Sequence, residues 1–260
     1  MKVTLLFIGT ILLAGCATAP LTERSQIKLV SDRALIAQSL TSYREVINEE
    51  TLSTNVAQTA IVKEVGSRIS RAVEQYLQQE QLLYLVDGFQ WEFNLIESDI
   101  PNAWCMPGGK VAFYTGILPF TQDEAGLAVV MGHEIAHAVV GHSAERVSHA
   151  MLQQGGAMLL SSMRRGHENY AVIQQVYGIG SQLGVILPFS RTHELEADKL
   201  GLIFMALAGY DPAASIDFWK RMAANDASKP PEFLSTHPAD ETRIEQIRAY
   251  LPEAMHYYRP

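Results

Sequence analysis

The chain has 260 residues, an apolar fraction of 48%, a charged fraction of 18% and a formal net charge of −8. This is the profile of a globular protein long enough to bury a substantial core. With 20 basic residues against 28 acidic ones and no lysine or arginine cluster, nucleic acid is excluded as an expected partner.

Met1-Lys2 precedes an almost wholly apolar run, Val3 to Ala14, followed by Gly15-Cys16. The run is too short to span a bilayer but suits the core of an export signal. "LAGC", Leu13 to Cys16, resembles the bacterial lipobox. That resemblance implies a signal peptide over residues 1–15, lipidation of Cys16, a polar tether over 16–31, and a main domain over 32–260. Residue 17 is Ala rather than the Asp that retains many lipoproteins in the inner membrane, so the outer membrane is expected. Cys105 is then the remaining cysteine; no intramolecular disulfide is possible, and the thiol is expected to pack as a small hydrophobe.

The spacing predicts helices over 32–48 and 55–80, the second with Ile61, Val65, Ile69, Val73 and Leu77 recurring every four residues. Phe89 to Ser98 alternates apolar and polar side chains and reads as a strand. Lys110 to Gly116 reads as another, after the turn-forming Pro107-Gly108-Gly109. Thr121 and Glu124 form a capping-box pattern that predicts a helix from about Gln122 to near Gly141. Further helices are expected over 143–164, 168–187 and 191–208. Asp211-Pro212 is expected to start the next, Pro230-Pro231 to mark a loop and Pro238 to open the last. The fold class expected is α+β, mainly α-helical, with one small sheet.

The chemistry concentrates in "MGHEIAHAVVGH", Met131 to His142. Residues four apart on a helix differ by only about 40° in direction, so His133 and His137 project from one face and can grip one ion. Glu134, on the flank of that face, can act as a general base. This is the HExxH arrangement of zinc peptidases. The surrounding residues are apolar, so the helix should be buried, and buried histidines and a carboxylate need partners. Catalytic zinc usually takes three protein ligands. Val140 and Ser143 stand where the metzincin pattern needs Gly and His, which excludes that class. Downstream, Glu194 and Asp198 in "SRTHELEADKLG" are again four apart. Glu194 can supply the third ligand, and Asp198 can accept a hydrogen bond from the far nitrogen of a ligand histidine.

On these residues the chain resembles the zinc metallopeptidases grouped with HtpX, the CAAX prenyl proteases and mitochondrial Oma, whose pattern pairs HExxH with a later ExxxD. Ser190 to Asp198 match "SRxxExEAD", and His142 matches a further histidine. Asn102 to Leu118 resembles the "NAxxxPGG" segment, and Ser235 to Ile244 the segment containing "THP" and an arginine. The resemblance spans about residues 55–250. It implies a zincin-like domain whose small sheet edge flanks the active-site helix, and one zinc held by His133, His137 and Glu194. It also implies Glu134 as base and unfolded or misfolded polypeptide substrates pairing with the edge near Asn102 and Ala103. His237 could stabilise the oxyanion, bind zinc and hold the enzyme latent, or simply start a helix. The expected function is a periplasm-facing, outer-membrane-anchored zinc endopeptidase for damaged envelope proteins. The alternative is a non-catalytic chaperone or assembly lipoprotein for outer-membrane proteins.

Overall fold

The structure, a computed structural model, describes residues 16–161, 191–224, 232–238 and 241–259. In chain order, a hairpin of β1 (Cys16–Thr18) and β2 (Ser25–Ile27) leads to helices α1 (Asp32–Glu49) and α2 (Val56–Gln79). Strands β3 (Glu92–Ile96), β4 (Ala103–Met106) and β5 (Lys110–Tyr114) follow, then helices α3 (Leu118–Thr121), α4 (Glu124–Val139) and α5 (His142–Ser161). The chain ends with α6 (Arg191–Leu207), α7 (Ala214–Ala223), α8 (Glu232–Thr236) and α9 (Glu241–Met255). The class is α+β and mainly helical. The expected helix over 168–187 and the loop at Pro230-Pro231 lie outside the described residues. Among the described residues, no helix is long and apolar enough to cross a membrane.

Local chemistry accounts for the element starts. Ser31 and Asn55 cap α1 and α2 by accepting from the amides of Ala34 and Gln58. The buried stripe of α2 is Val62, Val65, Ile69, Val73 and Leu77, whereas Ile61 is 42% exposed. A strict four-residue repeat drifts by about 40° per step, which rotates Ile61 off the stripe and brings Val62 onto it. The expected capping box also gives way. Thr121 ends the short α3, and Asp123 caps α4 by accepting from the Gly126 amide at 2.8 Å. Asp211 accepts from the Ala213 amide in a turn just ahead of α7 instead of capping the helix itself.

The three-stranded sheet has the order β3–β5–β4, with β3 parallel and β4 antiparallel to β5. β4 is therefore an edge strand. Every residue of α4 from Gly126 to Val139 is buried, as expected of a helix apolar on all sides. α2, α6, α7 and β4 pack around it. The approach of α6 is unusually close. A Cβ added at Gly132 would lie 2.7 Å from the Gly201 carbonyl oxygen, so two glycines let the backbones meet where α4 and α6 cross.

Residues 16–31, expected as a tether, form the β1–β2 hairpin instead and dock on the helical body. Ala19 is fully buried, Gln26 is buried, and the Leu29 amide donates to Ser148 Oγ at 2.8 Å. Apolar and charged contacts supplied by distant elements turned a polar-looking stretch into structure.

Candidate metal centre

α4 carries His133 and His137 on one face, and α6 crosses it to bring Glu194 alongside. His237, just past α8, completes a group of four buried donors whose ligand atoms all lie within 4.8 Å of one another. His133 Nε2 lies 3.0 Å from His137 Nε2 and 3.1 Å from His237 Nδ1. Glu194 Oε1 is 3.3 Å from His137 Nε2 and 3.1 Å from His237 Nδ1, and its Oε2 is 3.5 Å from His133 Nε2. Tetrahedral donors at zinc–ligand distances of about 2.0–2.1 Å would be separated by roughly 3.3–3.4 Å. The four donors therefore fit one zinc ion.

The charge inventory agrees. Glu134, Glu194 and Asp198 are all buried, and Arg243 is the buried guanidinium that faces them. With ligand imidazoles neutral, three carboxylates against one guanidinium leave two negative charges for a divalent cation to balance. The shifts point the same way. Burial opposes protonation of His133, yet hydrogen bonds to Asp198 and Glu194 push its pKa up to about 9. Burial likewise opposes ionisation of Glu194, but His237, Arg243 and hydrogen bonds from His133 and His137 hold its carboxyl well below the usual range. The centre attracts positive charge.

Asp198 sits behind His133, accepting from its Nδ1 at 3.0 Å. Arg243 forks onto Asp198 with Nε and NH2 at 2.7 and 2.8 Å. It reaches Glu194 Oε2 with NH1 at 2.9 Å and lies 3.6 Å above the Trp219 ring. The sequence alone assigns this arginine no role. Nothing in a single sequence ties position 243 to positions 194 and 198, and only the packing of α9 on α6 does so.

Glu134 is buried, and burial raises its pKa above the ordinary carboxylate value. Its Oε1 lies 3.3 Å from His237 Nε2. The carboxylate also accepts from the Cys105 backbone amide. The register explains that contact. The Asn102 carbonyl accepts from the Tyr114 amide, so Asn102 makes a hydrogen-bonded pair with β5. Alternation then turns the backbone groups of Ala103 and Cys105 toward the outer edge. Asn102 Oδ1 accepts from the Ala103 amide at 2.9 Å, and the edge so formed faces Glu134. Cys105 itself is a buried free thiol whose pKa burial raises.

His142 and His193 lie outside the four-donor group. His142 Nδ1 is 2.8 Å from His137 Nδ1, while His193 stacks on His142 and bonds Glu145. His256 is exposed, and His167 lies outside the described residues.

Comparison with known proteins gives the family. Residues 58–251 match the profile of Peptidase family M48. The chain is 39% identical to a mitochondrial metalloendopeptidase OMA1 of Schizosaccharomyces pombe over 171 residues, 65% of this chain and 49% of that protein. It is 31% identical to the human mitochondrial metalloendopeptidase OMA1 over 250 residues, 91% of this chain and 46% of that protein. A Yersinia pestis beta-barrel assembly-enhancing protease is 31% identical over 166 residues, 61% of this chain and 34% of that protein. The chain spans about half the length of the OMA1 relatives it matches. It belongs to peptidase family M48.

Proposed function

We propose that the chain is a zinc-dependent endopeptidase that cleaves extended, unfolded segments of polypeptide. The observation that carries this reading is the grouping of His133, His137, Glu194 and His237 beside a buried carboxylate, Glu134. His133, His137 and Glu194 would hold the ion and Asp198 would orient His133. When bound, zinc supplies Lewis acidity that polarises a scissile carbonyl and activates water. Glu134, its pKa raised by burial, takes a proton from the attacking water and returns it to the leaving amine. The outer edge of β4 at Ala103 and Cys105 offers main-chain groups to a substrate strand, so that backbone is recognised and local disorder selects the substrate.

His237 would serve as a fourth donor in a closed resting state, its Nδ1 lying 3.1 Å from both His133 Nε2 and Glu194 Oε1. Phe233 stacks on the His237 ring at 4.6 Å, and the Phe233 amide donates to the Pro101 carbonyl.

We further propose residues 1–15 as a lipoprotein signal, Cys16 as the lipidated residue, and the periplasmic face of the outer membrane as the location, with damaged envelope proteins as substrates. The lipobox-like "LAGC" and the bacterial relative named for β-barrel assembly support this placement. The decisive experiment is Glu134→Gln, measured for casein cleavage and bound zinc together. Lost cleavage with zinc retained is expected, and undiminished cleavage overturns the assignment of the base. Cys16→Ser should move the protein from the membrane to the soluble fraction, and unchanged fractionation overturns the anchor.

A further inference from the structure

Beyond the metal ligands, a continuous run of contacts leads from His137 to the amino-terminal hairpin. His137 Nδ1 lies 2.8 Å from His142 Nδ1. His142 Nε2 lies 3.1 Å from Glu196 Oε2, and that same oxygen accepts from Arg24 Nε at 2.8 Å. Thr22 Oγ1 donates to the other oxygen of Glu196. Arg24 also forks onto Glu145, with NH1 and NH2 at 2.9 and 2.6 Å from its two oxygens, and Glu145 holds His193 at 2.9 Å. His142, Glu145, His193 and Glu196 are buried, and Arg24 is partly buried.

We propose that Arg24 is a positioning residue for the metal centre, acting through Glu196 and His142 on the ligand His137. This rests on His137 being a zinc ligand through Nε2, as proposed above. A neutral imidazole ligating through Nε2 carries its proton on Nδ1 and donates it to His142 Nδ1. His142 then carries its own proton on Nε2 and donates it to Glu196. Each group has one consistent tautomer, and the terminal carboxylate is held by a guanidinium and a hydroxyl from the hairpin. Such outer partners fix ring orientation and raise ligand basicity. The hairpin is thus part of the metal centre's support, and Glu145 with His193 forms a second branch that anchors Arg24 without touching His137.

The test uses the purified full chain and measures zinc affinity by chelator competition. Loss of an outer partner typically costs about 10–100-fold in metal affinity. Arg24→Met and Glu196→Gln should each show a loss of that size, and the double variant no more than the larger single. Lys28→Met breaks the ion pair of Lys28 with Asp32, which touches neither Arg24 nor Glu196 nor His142, and should change affinity by less than about threefold, well below that range. The visible absorption of the cobalt-substituted protein should shift in the first two variants and stay unchanged in Lys28→Met. Should Arg24→Met fail to fold, Arg24→Lys, which keeps the charge but lacks the fork, should fold and show a smaller loss. Unchanged zinc affinity in Arg24→Met and Glu196→Gln, or an equal loss in Lys28→Met, overturns the proposal. His137→Ala separates the two readings: if it retains zinc at full affinity, the metal-ligand assignment fails first.

Discussion

Gly201 of α6 lies so close to His133 of α4 that a Cβ there would sit 2.8 Å from the His133 amide nitrogen and 2.9 Å from the Gly132 carbonyl carbon. Those atoms are backbone and cannot swing aside. The Gly132–Gly201 contact therefore sets the distance between the helix that carries the two histidines and the helix that carries Glu194 and Asp198. Gly201→Ala should force the helices apart, cost about 1–3 kcal/mol as overpacking does, and weaken zinc binding. Thermal melting and chelator competition measure the two effects. Wild-type values for both would show that the crossing does not need a glycine.

Arg243 balances Glu194 and Asp198 inside the protein, and removing one partner of a buried charge group costs about 3–5 kcal/mol. Arg243→Met should lower the melting temperature strongly. Zinc should restore more of the lost stability than it adds to the wild type, because the ion then carries a larger share of the balancing charge. Calorimetry with and without zinc reads this directly, and equal zinc-induced shifts in both proteins refute it.

If His237 is the fourth donor of the resting state, His237→Ala should reduce the imidazole nitrogens around zinc from three to two, with the ion retained. X-ray absorption on the zinc-loaded protein counts these donors. A count unchanged by the substitution would mean that His237 stands beside the ion without binding it, leaving a role at the oxyanion or at the helix start.

The hairpin should undock in acid. Burial works against the Glu196 carboxylate, but His142, Thr22 and Arg24 lower its pKa to about 2, and Glu145 is held lower than usual by His193 and Arg24. A depressed carboxyl pKa contributes stability that is fully present above the ordinary value near 4.5 and is lost as pH falls toward the folded value. Metal-free protein should therefore lose stability between about pH 4.5 and pH 2, and Arg24→Met should flatten that part of the profile. Parallel profiles for the two proteins would show that these carboxylates do not couple to folding.

The sequence by itself determined the parts of the centre that helical periodicity places on one face. His133, Glu134 and His137 share a helix, as do Glu194 and Asp198, and four-residue spacing fixes each set's direction before any tertiary contact forms. It also determined the strand at β3, whose alternation is local, the strand at β5, which follows the Pro107-Gly108-Gly109 turn, and most helix starts. Tertiary structure alone decided what depends on two segments meeting. The crossing at Gly132 and Gly201 brings Glu194 to the histidines, α9 delivers Arg243 to both carboxylates, and α8 seats His237 against Glu134. The fate of residues 16–31 was decided in the same way. Their polar composition reads as a tether because the carboxylates that neutralise Arg24 lie more than a hundred residues downstream, and a contact between distant positions leaves no periodicity in either segment.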